Sequence, residues 1–292
     1  DVLPSPPQFN IANTLVASTN VTLGLLTGPG MINCQSFSSL AITVDDSSVP
    51  ISFLYDCHTA NLQEIDVTLA AGDGAKTVRM WARDNAGVIS SLPSTLTVVL
   101  DQTAPQLSLT GPTGILKGGQ VVTVPLNAVD MSSISQLKLF YSTDNGLNFN
   151  LISNLSADAK SFAWTLPAID KSVIMKLSAM DTVGNFSEVI SDSFIIDSTA
   201  PVTPILSLTS ASPSSSLDVG LALSSCADYQ QIHISESPIA PSITSPLWKT
   251  CATTLSYALN SATNGNHTVY LYARDTAGNI SAASSVVVKL DQ

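Results

Sequence analysis

The chain has 292 residues, a net charge of −11, a pI near 4.4, a mean hydropathy of +0.30 and only 11% charged residues. Such an acidic balance repels nucleic acid and anionic lipid, so neither is expected as a partner, and no apolar run approaches the roughly 18 residues of a membrane helix, so no membrane insertion is expected. Nineteen of the 22 acidic residues are Asp, a residue of turns, caps and hard-cation sites, which points to an all-β chain.

In chain order, the first clear strand covers residues 40–44, between Cys34 and Cys57. An alternating run follows, with Val78, Met80 and Ala82 on one face and Arg79, Trp81 and Arg83 on the other. That is the period of a strand with one buried face. A turn at 84–87 leads to a second run, Leu96, Val98 and Leu100, and two such runs across a short turn predict a hairpin. The middle third offers strands at 121–126 and 137–141, the turn Asp144-Asn145-Gly146, and a strand at 162–166. Asp-Asn-Gly between alternating strands is a hairpin signal. Met175, Leu177 and Ala179 then oppose Lys176, Ser178 and Met180, followed by Phe194 and Ile196. In the last third a strand at 232–235 lies between Cys226 and Cys251. Val269, Leu271 and Ala273 oppose Tyr270, Tyr272 and Arg274, and Val286, Val288 and Leu290 close the chain. No stretch sustains a helical period.

The turn aspartates Asp84, Asp181 and Asp275 lie 97 and 94 residues apart. A second phrase follows each copy: Asp101-Gln102-Thr103-Ala104-Pro105, Asp197-Ser198-Thr199-Ala200-Pro201, and Asp291-Gln292. A fixed period with shared punctuation predicts tandem domains of one fold, at 1–100, 101–196 and 197–292. About seven short strands in each, with closely spaced turns, read as three immunoglobulin-like β-sandwiches. The start at Asp1 and the end on an opened linker phrase read as a processed piece of a longer chain.

Cys34 and Cys226 each precede a comparable strand, and Cys57 and Cys251 follow them by 23 and 25 residues. The middle repeat has no cysteine. Matching positions in repeats one and three predict the disulfides Cys34–Cys57 and Cys226–Cys251, and hence an oxidising compartment outside the cytoplasm. The close Cys or His spacing of a zinc site is absent.

The phrase Ala273-Arg274-Asp275-Thr276-Ala277-Gly278-Asn279-Ile280-Ser281, with the Asp-x-Thr-Ala-Pro linker, resembles the immunoglobulin-like and fibronectin-type modules strung along bacterial surface proteins and adhesins. The resemblance covers all three repeats and implies a stalk that holds a binding tip away from the cell. The disulfide between sheets that marks antibody domains is not followed, since no cysteine lies on the last hairpin.

Sandwich topology places each last-hairpin turn at the end where the chain enters the module. Asp101 of the linker is therefore expected beside Asp181 and Asn185, with Asp130 at the same end. The next junction should repeat this with Asp197, Asp228, Asp275 and Asn279. Three carboxylates with nearby carbonyl oxygens form the hard-oxygen set that calcium prefers; the competing reading is that Asp and Asn bond their own turns. Repeat one departs from the pattern: no Asp follows its second strand, and Asn85 and Val88 stand where the other copies have Thr and Asn.

No nucleophile elbow, phosphate loop or acid–base pair is evident, and the only histidines, His58, His233 and His267, are scattered, so no enzyme is expected. Trp81, Tyr270 and Tyr272 on the outer face could stack on sugars or cover an apolar patch. Five Asn-x-Ser/Thr triplets, at Asn20, Asn154, Asn185, Asn266 and Asn279, are expected by chance in a chain this rich in Ser and Thr. The reading is a non-catalytic stalk or adhesion segment of a secreted or surface-anchored bacterial protein, whose partners are further modules of the same polypeptide. The alternative is a module binding a host or prey surface glycan or a protein receptor.

Overall fold

The computed structural model describes residues 4, 8–26, 37–58 and 62–292. Every regular element among them is a strand. The strands form three successive two-sheet sandwiches, and no sheet draws strands from two repeats.

In the first sandwich, Phe9–Asn10, Asn20–Leu25 and Glu64–Thr68 form one sheet. The other runs in the order Leu15–Val16, Ser94–Leu100, Gly74–Arg83, Ser39–Val44, Tyr55–Asp56. The second sandwich sets Ser161–Thr165, Val121–Val129 and Gln106–Leu109 against Ile115–Lys117, Phe194–Asp197, Lys171–Asp181, Ile134–Ser142 and Asn150–Leu155, with Phe186–Ile190 also on Lys171–Asp181. The third sets Leu206–Leu208, Asp218–Leu223 and Thr254–Ala258 against Lys249–Thr250, Gln231–Ser235, Gly265–Arg274 and Ser284–Leu290. In each module a short early segment runs parallel to the last strand: Leu15↔Val99, Ile115↔Ile195 and the bridge Ser214↔Leu290. The last strand is thus held on two sides before the chain leaves.

The alternating runs explain the cores. Val78, Met80 and Ala82, then Met175, Leu177 and Ala179, then Val269, Leu271 and Ala273 are all buried. Each set packs in a separate cluster confined to its own repeat. Fully burying a Leu, Val or Met side chain is worth about 1.5–3 kcal/mol relative to exposure, so each module carries its own driving force for folding.

The final hairpins pair as the alternation predicts, with Val78↔Leu96, Val173↔Phe194 and Val269↔Val286. The turn at Asp144 also forms, with Asn145 and Gly146 in the left-handed region at φ 60° and 88°, where Asn and Gly are tolerated best. It connects Ile134–Ser142 to Asn150–Leu155, a strand the sequence reading missed. The segment at 162–166 instead pairs in the opposite sheet, Val122↔Trp164. Asn150–Leu155 is an edge strand with no fully buried residue, so it lacks the alternation that marked the others.

Cys226 and Cys251 form a disulfide inside the third module. Cys57 is buried in the first core and is disulfide-bonded; Cys34 lies outside the described residues, and the pairing expected for it lies there too.

Candidate functional site at the module junctions

The period that repeats the folds also repeats the way each linker is held. Asp73, at the start of the Gly74–Arg83 strand, accepts the Gln102 N–H at 2.8 Å on one carboxylate oxygen and the Thr103 hydroxyl on the other. Asp170 does the same one repeat later, to Ser198 N–H at 2.6 Å and Thr199 Oγ1 at 2.7 Å. In the third module Asn264 takes the position: its Oδ1 accepts Gln292 N–H at 2.9 Å, and its Nδ2 donates to Gln292 O at 3.2 Å. These clasp residues were not singled out from the sequence, although they too lie 97 and 94 residues apart.

The hydrogen bonds leave their mark on titration. Asp73 is held below the ordinary carboxylate value of 3.8 by the Thr103 hydroxyl and then the Gln102 N–H. For Asp170 the Ser198 N–H and then the Thr199 hydroxyl act in the same direction.

On the receiving side, the turn aspartate organises its own loop. Asp181 Oδ1 accepts the N–H groups of Val183, Gly184 and Asn185 at 2.9, 2.6 and 2.9 Å. Its Oδ2 accepts Asn185 Nδ2 at 2.8 Å. Burial alone would raise the Asp181 pKa, but the Asn185 side chain and these three N–H groups outweigh it and hold the pKa below 3.8. The loop geometry frees the other Asn185 Nδ2 hydrogen to reach across the junction, where it donates to the Asp101 carbonyl at 2.9 Å. Ser187 adds a bond from Oγ to Pro105 O at 2.5 Å. The second junction repeats the latch: Asp275 shapes the loop, and Asn279 Nδ2 donates to Asp275 Oδ2 at 3.0 Å and to Asp197 O at 3.1 Å. In the first module Asp84 still accepts the Ala86 and Val88 N–H groups. Val88 stands where the latch amide would be, so that turn has no such arm.

The two junctions differ in their carboxylates. Asp101, Asp130 and Asp181 each place an oxygen within 4.8 Å of the others. Asp101 and Asp181 are buried, and Asp101 Oδ2 has no hydrogen-bond partner. Like unit charges about 5 Å apart repel by roughly 3 kcal/mol at an effective dielectric near 20. None of the ion pairs among the described residues involves these three groups. Asp197, Asp228 and Asp275 form no comparable group among the described residues, contrary to the symmetric expectation. The reason is local. Asp130 directly follows the strand Val121–Val129, where its Oδ1 accepts Ser132 N–H at 2.9 Å. In module three the strand Asp218–Leu223 is followed by Ser224, and Asp228 comes later, in a turn where Tyr229 N–H donates to Cys226 O.

The outward aromatics are not a surface platform. Trp81 and Tyr272 are each only 4% exposed, which corrects their reading as surface stackers; Tyr270 is half-buried. In module three the loop after Gln231–Ser235 lies over this face. Tyr272 donates its hydroxyl to Pro238 O at 2.5 Å. Trp248 Nε1 donates to Ser242 O at 2.9 Å, and the Arg274 guanidinium sits 4.7 Å from the Trp248 ring centre. Module one has a related contact, Arg83 over Phe53 at 4.8 Å.

No family model matches the chain, and no curated protein matches it in sequence. Solved structures that resemble it include tandem arrays. One, described as a 1.5-MDa bacterial ice-binding adhesin, is 15% identical with a TM-score of 0.43, covering 98% of this chain and 99% of that one. Three fibronectin domains of chicken CNTN1 are 13% identical at a TM-score of 0.40, covering 99% and 100%. The fibronectin(III)-like modules of Clostridium thermocellum CbhA are 15% identical at 0.36, covering 64% and 95%. No function is carried over from likenesses of this size.

Proposed function

We propose that the chain is a non-catalytic spacer: a stalk segment of an exported bacterial surface protein, in which modules bounded near Asp101 and Asp197 hold other parts of the same polypeptide at a set distance. The observation that carries this reading is the latch found at both junctions, Asn185 to the Asp101 carbonyl and Asn279 to the Asp197 carbonyl. A loop that shapes itself and then grips the incoming linker fixes orientation, which a flexible tether would not need. The clasps of Asp73 and Asp170 shorten the free linker from the other side, and Pro105 and Pro201 restrict its backbone. The Cys226–Cys251 disulfide supports an oxidising location at or beyond the cell surface. Burial of Trp81 and Tyr272 removes two of the three aromatics that favoured glycan binding.

Small-angle scattering tests the spacer reading. Three sandwiches in line should give a maximum dimension of about 120 Å, taking roughly 40 Å per module from strand lengths and loops. A compact particle would contradict it.

A further inference from the structure

We infer that the array has one ion-dependent joint and one ion-independent joint: the first junction holds a calcium ion between Asp101, Asp130 and Asp181, and the second holds none. Two independent observations place the ion at the first junction. The three carboxylates converge within 4.8 Å. Within that group Asp101, fully buried, has its Oδ2 without any hydrogen-bond partner, and a buried carboxylate oxygen left unpaired is strongly unfavourable unless a cation completes it.

The remaining oxygens divide their work. Asp181 Oδ1 is committed to three N–H groups, while Oδ2 accepts one amide and retains acceptor capacity. Asp130 Oδ1 serves the Ser132 N–H and hydroxyl, leaving Oδ2 for the ion. An all-oxygen donor set with at least three carboxylates matches calcium, whose other ligands would be water or carbonyl oxygen. Asp101 belongs to the linker, whereas Asp130 directly follows one strand of module two and Asp181 ends another. One ion therefore ties the linker to two loops of the following sandwich. At the second junction Asp197 and Asp275 are present, but Ser224 follows the strand where module two has Asp130, so the third carboxylate is missing.

The inference is separable from the spacer reading, because ion binding and overall length are measured independently. Calorimetric titration of the full chain with calcium chloride after chelation should give one site, with a dissociation constant on the order of 10⁻⁴–10⁻³ M, as for extracellular modules. Asp130→Asn should weaken that binding at least tenfold while melting in chelator like the parent. Asp228→Asn and Asp275→Asn should leave it unchanged. Saturating calcium should slow protease cleavage at 102–104 and not at 198–200. No binding by the parent, undiminished binding by Asp130→Asn, or a second site abolished by Asp275→Asn would each overturn the inference. Should Asp130→Asn fail to fold, Asp101→Asn replaces it and is read by the same titration.

Discussion

The side-chain amide of Asn185 donates to the main-chain carbonyl of Asp101 across 2.9 Å, joining the last-hairpin turn of module two to the linker that enters it, 84 residues earlier. The same amide holds Asp181 Oδ2, so one side chain couples the shape of a turn to the position of the linker. Asn279 repeats this with Asp197 and Asp275.

Replacing Asn185 with Ala should therefore loosen the first junction alone. Losing two hydrogen bonds, one of them to a carboxylate, costs about 1–3 kcal/mol. Cleavage at 102–104 should rise roughly tenfold for every 1.4 kcal/mol lost, as local opening governs proteolysis. Limited proteolysis followed by mass spectrometry checks this, and cutting at 198–200 should not change. Asn279→Ala should give the reverse pattern.

The linker clasps should respond to acid in two modules and not in the third. Asp73 and Asp170 have pKa values lowered below 3.8 on folding. Their contribution is thus complete above the unfolded value and is lost as pH falls through the lower, folded value. Asn264, which holds Gln292, does not titrate. Amide exchange should show protection of Gln102 and Ser198 declining below about pH 4, while Gln292 keeps its protection over the same range.

Reduction should destabilise the third module and spare the second. The Cys226–Cys251 bond closes a 25-residue separation, for which the chain-entropy relation gives about 3.5 kcal/mol. The second module has no cysteine. Differential scanning calorimetry with and without reductant should lower the transition of module three and leave the transition of module two in place.

Much of this architecture was legible because strands with one buried face write their geometry as alternation. Val78, Met80 and Ala82 and their two counterparts were assigned inward from spacing alone, and all are buried. The edge strand Asn150–Leu155 was hidden because it buries no residue fully. Trp81 and Tyr272 were misjudged because alternation identifies a face without revealing what covers it, and in module three a loop does so. At the junctions the turn aspartates stood out by repetition. The clasp by Asp73, Asp170 and Asn264 was overlooked because the third copy changes residue type, although its amide serves the same linker backbone. The unequal carboxylate sets depend on whether an acid follows a strand directly, as Asp130 does, or comes later in a turn, as Asp228 does.

The central claim, that side-chain latches fix one module relative to the next, is tested most directly by the distance distribution across the second junction. Spin labels attached by non-cysteine chemistry at the exposed positions Asp158 and Ser285 would report it by pulsed electron resonance. The account predicts a single narrow distribution that broadens in Asn279→Ala. A broad distribution in the parent chain, or a narrow one that Asn279→Ala leaves unchanged, would contradict it.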